Sequence, residues 1–445
     1  MMSMTHFLVN GAATLLLTVA MAATASGQPA EPKDLGSPPP GGRTPYALSG
    51  AYTVDGGSPQ TETDKSYTSS SDDVSAVYVT NGGKLTLKNP TIRASGNTSS
   101  QENSSFYGLN AAVLATKGSA LTIEGGTIAT SGTGANGAIS TDAGSSITLS
   151  DVTITASNEG GHGVMATQCG SITLINVDMT TSGSHSAPIA TDRGSGTITV
   201  TGGTVISSGE GSPGIYSTGI ITATDLTSTA SGSEAVVIEG KNTVTLTNST
   251  LKGEKLCGVM MYQSFSGDAE VGVATYAMSG GALTAAVGPL FYVTNTNAVV
   301  TLTGVNATAD SGTLIKVSDG RWGKEGANGG NLTFTAEKQT LTGDIEVNNI
   351  SAIALALRNG SSLTGAINAA NTGKEVNLTL DASSAWSVTA DSHLTCLTDA
   401  DGISGNAISN ITGNGHTVSY DKNACPALSG KTYALTGGGS LKPAE

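Results

Sequence analysis

A short triplet of an apolar residue, Thr and a second apolar residue recurs along the chain at nearly constant spacing. The steps between the first seven copies are 36, 26, 25, 26, 23 and 23 residues. A regular period of this length is typical of a solenoid, in which each repeat packs against its two neighbours. It excludes a β-propeller, whose blades need about 40 to 50 residues. The copies begin at Leu85, Leu121, Ile147, Ile172, Ile198, Ile221 and Val244, and after a gap at Val300, Leu332 and Leu378.

Two further short strands follow the triplet in the repeats, separated by turns rich in Gly, Ser and Asn. In one repeat the three strands are Ile147–Leu149, Val152–Ile154 and Gly163–Ala166. Strands this short cannot bury a face alone, so we predict that they stack in parallel on their copies in adjacent repeats, about 4.8 Å apart. Because side chains alternate along a strand, the aliphatic residues point inward and Thr points outward. The sequence therefore predicts an all-β solenoid with three strands and 23 to 26 residues per rung, and roughly 14 to 16 rungs between residues 46 and 445.

The composition agrees with short strands and tight turns. The 445 residues include 60 Gly, and only 12% are charged and 4% aromatic, whereas an average domain has about 7% Gly and about 25% charged residues. This composition excludes an ordinary helix-rich enzyme, and the 38% of hydrophobic residues excludes a disordered chain. The net charge of −14 repels phosphate groups, so we expect no nucleic-acid partner.

The rungs between about residues 80 and 430 resemble the right-handed parallel β-helix family. Within it they are similar to exported bacterial proteins of the adhesin-like and autotransporter-passenger-like kind. The resemblance implies the right-handed winding, which the repeats alone do not show, and a place at the bacterial cell surface. Autotransporters end in a membrane barrel, whereas residues 437–445 read GGGSLKPAE without a run of amphipathic strands. We therefore expect no anchoring by that route.

The first 45 residues differ from the repeats. The apolar stretch 12–22 and the Ala-Thr-Ala at 23–25 are typical of a secretory signal peptide, and the stretch is shorter than the roughly 20 residues that span a membrane. We expect a signal peptide at 1–25, a Pro/Gly-rich linker at 26–45 and a single β-helix domain with terminal caps at 46–445. The mature chain is then secreted or at the cell surface, with no transmembrane segment. Its oligomeric state stays open.

The four cysteines are Cys169, Cys257, Cys396 and Cys425. None of them shows C-x-x-C spacing, and in an exported protein the compartment is oxidising. Cys396 and Cys425, 29 residues apart near the C-terminus, are the candidate disulfide pair. Two buried free thiols are the alternative.

The repeat pattern breaks between residues 257 and 325, where scarce aromatic and charged residues concentrate. If the insertions leave the solenoid at the same corner of successive rungs, their side chains form one cleft. Aromatic rings beside charged groups suit sugars, whose apolar faces stack while their hydroxyls find polar partners. We predict a binding patch for a surface glycan or extracellular matrix, and ordinary loop residues over a distorted core are the alternative. The candidate residues are Tyr262, Phe265, Asp268, Glu270, Arg321, Trp322 and Lys324.

Two catalytic alternatives come from the same fold. His162 lies in a Gly-His-Gly motif that is similar to one in polygalacturonase-type hydrolases, but neighbouring rungs supply only Asp142 and Asp192 as the required carboxylates. A polysaccharide lyase needs a basic residue, and only Arg321 with Lys324 could serve. The five His are too scattered to bind a metal. We therefore expect a non-enzymatic protein without catalytic residues, metal or cofactor, with a β-helix lyase or glycoside hydrolase as the alternative.

A further alternative concerns the outward positions of the triplet strands. In five repeats they read Thr-x-Thr, a lattice of about 6.7 by 4.8 Å that resembles ice-binding β-solenoids. Earlier repeats carry Lys88, Glu124, Ser150 and Ile175 at the second position, and Thr is favoured in any exposed strand. Ice binding is therefore the minor alternative. The pairs are Thr199/Thr201, Thr222/Thr224, Thr245/Thr247, Thr301/Thr303 and Thr333/Thr335.

Overall fold

The computed structural model describes residues 46–267, 269–399 and 401–444. The predicted signal peptide at 1–25 and linker at 26–45 lie outside the described residues and stay predictions. Within the described residues the chain forms 45 β-strands, one α-helix and one short 3₁₀ helix. None of the helices described is long and apolar enough to cross a membrane.

The strands wind into a parallel β-helix of about 16 turns, which confirms the predicted solenoid with three strands per rung. Equivalent strands of successive rungs pair in parallel and form three long sheets, here called sheets 1, 2 and 3. The triplets lie in sheet 2, where Ile147 and Leu149 are buried and Thr148 points outward. Inside the solenoid the larger rings meet edge to face, with centroids 5.4 Å apart between Phe291 and Phe334.

Sheet 1 has twelve strands. They are β1 (Ser49–Asp55), β4 (Val74–Thr80), β7 (Val113–Ala115), β10 (Ala138–Thr141), β13 (Val164–Thr167), β16 (Ile189–Thr191), β19 (Ile215–Ser217), β22 (Val236–Glu239), β25 (Val259–Tyr262), β28 (Phe291–Thr294), β31 (Thr313–Val317) and β34 (Asp344–Val347).

Sheet 2 has fourteen strands. They are β2 (Gln60–Thr63), β5 (Lys84–Lys88), β8 (Ala120–Glu124), β11 (Ser146–Ser150), β14 (Ser171–Ile175), β17 (Thr197–Thr201), β20 (Ile220–Thr224), β23 (Thr243–Thr247), β26 (Val273–Ser279), β29 (Asn297–Thr303), β32 (Asn331–Glu337), β35 (Ala352–Arg358), β37 (Glu375–Leu380) and β40 (Cys396–Thr398).

Sheet 3 has ten strands. They are β3 (Ser66–Ser69), β6 (Thr91–Ala94), β9 (Thr127–Thr130), β12 (Thr153–Ala156), β15 (Asp178–Thr181), β18 (Thr204–Ser207), β21 (Thr227–Ala230), β24 (Thr250–Gly253), β27 (Ala282–Ala285) and β30 (Asn306–Ala309).

A fourth sheet closes the C-terminal end of the solenoid. Its last strands pair antiparallel, which covers strand edges that would otherwise be open to a second chain. A disulfide joins Cys396 to Cys425 with the Cα atoms 4.9 Å apart, while Cys169 and Cys257 are free. The elements are β33 (Thr340–Thr342), β36 (Ser362–Thr364), β38 (Ala385–Ser387), β39 (Ser392–Leu394), β41 (Ile403–Ser404), β42 (Ala407–Thr412), β43 (Thr417–Tyr420), β44 (Tyr433–Thr436), β45 (Ser440–Pro443) and the 3₁₀ helix Pro426–Leu428.

One helix, α1 (Gln101–Tyr107), interrupts the solenoid between β6 and β7. Ser100 caps its start by accepting a hydrogen bond from the Asn103 amide, and Gly108 ends it at a φ of 81°. The rung prediction left no room for a helix, and the insertion accounts for the long step of 36 residues between the first two triplets. The insertion lies on the outer face of sheet 1, where Thr167 Oγ1 donates a hydrogen bond of 2.8 Å to the Phe106 carbonyl.

Candidate functional site

A groove of about 1580 Å³ runs along the outer face of sheet 1. Its floor is one column of residues in register across six neighbouring strands, so it is about 24 Å long at the usual strand spacing. Aromatic and apolar side chains occupy most of the column, and charged side chains occupy its C-terminal end. In order the floor residues are Tyr216, Val237, Met260, Tyr292, Lys316 and Glu346.

The same column continues toward the N-terminus, where it is covered. There it is buried in a second apolar cluster outside the solenoid interior, which includes Leu114, Ile139 and Met165. The segment after α1 lies so close that a Cβ atom on Gly108 would be 2.3 Å from Leu114 Cδ1. Arg193 holds the helix in place, because its guanidinium lies 4.0 Å from the centroid of the Phe106 ring. The α1 insertion therefore divides the face into a covered half and an open half.

An aromatic cluster lies at the groove, on the open half of the sheet 1 face; three of its four residues line the groove, and Phe265 does not. Trp322 stacks on Tyr262 with ring centroids 5.6 Å apart and an angle of 25° between the rings. Phe265 meets Trp322 edge to face at 6.1 Å, and the Arg321 guanidinium lies 4.5 Å from the centroid of a Trp322 ring. These four side chains come from two segments far apart in the sequence, the end of β25 with the loop after it and the loop between β31 and β32.

Hydrogen bonds fix the backbone that carries this cluster. Asn328 Nδ2 donates to the carbonyl oxygens of Gly320 and Trp322, each at 2.9 Å, and so closes the loop that holds the indole ring. Asn295 Nδ2 donates to the Gln263 carbonyl at 2.8 Å, which ties down the start of the other insertion. The ring positions are therefore held before any ligand arrives.

Three of the predicted site residues are not part of the cluster. Glu270 forms an ion pair with Lys241 at 3.3 Å, with both side chains mostly exposed, and such surface pairs contribute little. Lys324 is exposed in the loop that carries Trp322 and does not line the groove. Asp268 lies outside the described residues.

A buried carboxylate that the sequence did not reveal lies beneath the cluster. Glu239 is only 2% exposed. Tyr216 donates its hydroxyl proton to Glu239 Oε2 at 2.7 Å, Tyr262 donates to the same oxygen at 3.0 Å, and Ser264 donates to Oε1. Register brings Glu239 beside Tyr262 on the neighbouring strand. The only signal in the sequence is an isolated Glu at a strand end, which has no characteristic spacing.

The two tyrosine hydroxyls stay protonated. Burial, and then the nearby Tyr262 and Glu239, raise the pKa of Tyr216 well above its usual value. Burial and the negative charge of Glu239 likewise raise the pKa of Tyr262. Both phenols can therefore act as donors to Glu239 over the whole physiological pH range, which anchors the Tyr262 ring below Trp322.

The Gly-His-Gly motif lies at the other end of the groove. His162 Nδ1 is 3.2 Å from the Ala187 carbonyl oxygen. Burial is the main reason that the pKa of His162 is lowered to about 4, so the ring is neutral near pH 7. In the part of the chain that the structure describes, no group of three or more His, Cys, Asp or Glu side chains is placed to hold a metal ion.

No protein-family model matches the chain, and no curated protein shows significant similarity to it.

Proposed function

We propose that the chain is an exported, non-enzymatic β-helix protein, adhesin-like or part of the cell envelope, that binds glycans in the groove on sheet 1. The observation that carries the proposal is the aromatic cluster, in which Tyr262, Arg321 and Trp322 line that groove and Phe265 packs against Trp322. Phe265 is 49% exposed and Trp322 is half-buried, so both rings offer surface to a ligand. A sugar ring stacks its apolar face on such rings while its hydroxyls bond to polar groups nearby.

The disulfide supports export of the chain. Pairs such as Cys396 and Cys425 persist mainly in oxidising compartments, which agrees with the predicted signal peptide at 1–25. A long, ordered solenoid also suits a surface protein, because it presents a groove on a rigid scaffold.

The charged groups at the cluster are already engaged within the protein, which favours binding over catalysis. Glu239 is buried and already accepts hydrogen bonds from four hydroxyl groups, so it has no exposed oxygen for general acid–base work. The Arg321 guanidinium packs on Trp322. A β-helix lyase or glycoside hydrolase remains the alternative, and new reducing ends or unsaturated products from polysaccharides would establish it.

Calorimetric titration of the mature protein with a glycan panel tests the proposal. Trp322→Ala removes the platform and should abolish binding, and Phe265→Ala should weaken it. Ile206→Ala is the matched control, since Ile206 is similarly exposed, at 45%, on sheet 3. Equal binding by all three variants, or no binding to any glycan, would contradict the proposal.

A second candidate function rests on the register of sheet 2. Its central outward column holds Thr in eight successive strands, and from β11 to β29 the three aligned outward positions carry only Ser, Thr, Ala, Val and Ile. In a chain of net charge −14, this leaves an uncharged face with a two-dimensional repeat of hydroxyl and methyl groups. The eight threonines are Thr61, Thr86, Thr122, Thr148, Thr173, Thr199, Thr222 and Thr245.

Such a lattice can order water as an ice surface does, which makes ice binding the second proposal. Thermal hysteresis should be measurable with the mature protein and should disappear in Thr222→Tyr or Thr245→Tyr. Thr155→Tyr is the control, because Thr155 is exposed on sheet 3. A freezing curve without hysteresis would contradict ice binding and would not affect the proposal that the groove on sheet 1 binds glycans.

A further inference from the structure

The charges that line the groove are unequal in number. Six acidic side chains and three basic ones lie along it. A concave site with low-dielectric walls concentrates the field of such groups, so an excess of one sign acts on any ligand inside. The acidic residues are Asp192, Glu210, Glu234, Asp319, Asp344 and Glu346, and the basic ones are Lys255, Lys316 and Arg321.

Two of the basic side chains are already engaged within the protein. Lys316 Nζ lies 3.8 Å from Glu346 Oε2 on the next strand, and Arg321 covers a face of Trp322. Beneath the floor the buried Glu239 adds another carboxylate. A ligand with a row of negative charges would therefore meet repulsion along the groove, and no continuous basic strip stands opposite its carboxylates.

We infer that the groove takes glycans without acidic groups and rejects polyuronates. The inference rests on the proposed glycan-binding function and names the ligand class of that same site. Selectivity then has two parts: the aromatic cluster stacks on sugar rings of any kind, and the excess of acidic side chains excludes chains that carry a carboxylate on each sugar. Like charges brought together at a binding site cost enough to weaken binding at least about tenfold.

The test compares neutral hexasaccharides of glucose, mannose and N-acetylglucosamine with hexagalacturonate and hexamannuronate by calorimetry at low and high salt. We expect at least one neutral ligand to bind with an affinity that salt does not change, and both uronates to bind at least about tenfold more weakly at low salt. The double variant Glu210→Gln and Glu346→Gln removes two groove carboxylates and should reduce the difference in affinity between the neutral ligands and the uronates at low salt. Glu124→Gln, on sheet 2, is the control and should leave the difference in affinity between neutral and uronate ligands unchanged.

The outcomes separate the two proposals. Uronates that bind at low salt as tightly as the best neutral ligand would overturn the inference and leave glycan binding intact. If the double variant shows the same difference in affinity between neutral and uronate ligands as the wild-type protein, the inference is also overturned, because the groove carboxylates would not cause that difference. If neither panel binds, the proposed function itself fails.

Discussion

The buried Glu239 offers a demanding test of how the groove is held. It accepts hydrogen bonds from Tyr216 and Tyr262 at one oxygen and from Ser264 and, at 3.5 Å, Ser266 at the other. In Glu239→Gln the side chain has one acceptor oxygen, so it can satisfy either the two tyrosines or the two serines, and its N–H group faces the remaining donors. Each hydrogen bond to a charged group is worth about 1.5–3 kcal/mol, and burying an amide instead of a carboxylate offsets part of the loss. We expect the free energy of local opening to fall by about 2 kcal/mol.

Hydrogen–deuterium exchange measures this change where it occurs. A loss of about 2 kcal/mol makes amide exchange in β22 and β25 about 30-fold faster, while the distant β37 stays unchanged. Because Tyr262 supports Trp322, glycan affinity should fall about tenfold as well, as expected when a positioned aromatic group loses its support. Glu124→Gln breaks only the exposed ion pair with Lys88 and should cost less than about 0.5 kcal/mol. Exchange in β22 and β25 at the wild-type rate would refute the view that Glu239 holds the cluster.

Three further predictions concern the rest of the solenoid. Hydrogen bonds to the Asp381 carboxylate outweigh the effect of burial and lower its pKa to about 2. The stability that the ionised carboxylate contributes should therefore be lost as the pH falls from about 4 to 2. Acid denaturation of Asp381→Asn should lack this pH-dependent loss of stability. The disulfide closes a loop with a sequence separation of 29 residues. Cys396→Ser with Cys425→Ser should therefore lower the free energy of unfolding in denaturant by about 3.6 kcal/mol, whereas equal midpoints would show that the bridge is not formed. Gly108→Val places a Cβ atom 2.3 Å from Leu114 at a positive φ, so it should lift the α1 insertion and increase proteolysis near residue 101; an unchanged cleavage rate would contradict that packing.

The regular part of the fold could be predicted because each rung repeats one physical solution. Ile147 and Leu149 point inward and Thr148 points outward because side chains alternate along a strand. The same alternation applies to all ten triplets, so together they predict one architecture. The α1 insertion could not be predicted from the sequence, because a single irregular segment has no other copies with which to compare it. Its traces were the step of 36 residues and the capping residues Ser100 and Gly108, which local pattern alone does not distinguish from ordinary turns.

The candidate site was predictable to the extent that it uses rare residue types. Tyr262 and Trp322 stood out because the chain contains only 2 Trp and 11 Tyr, and stacking of rungs brings their insertions to one side. Glu270 and Lys324 have the same local context, yet side-chain direction within a loop does not follow a period: Glu270 pairs with Lys241, and Lys324 does not line the groove. Glu239 was missed because its role depends on donors from other rungs.

The fluorescence of Trp322 during glycan titration tests the central claim most directly. Trp322 lies at the groove, whereas Trp386 is fully buried and donates its indole N–H to the Gly365 carbonyl at 2.9 Å, so only the first should respond to a ligand. We predict a saturable change in emission with a neutral hexasaccharide in the wild-type protein and none in Trp322→Phe. The same change in Trp322→Phe, or no change with any glycan, would contradict the assignment of the groove as a glycan-binding site.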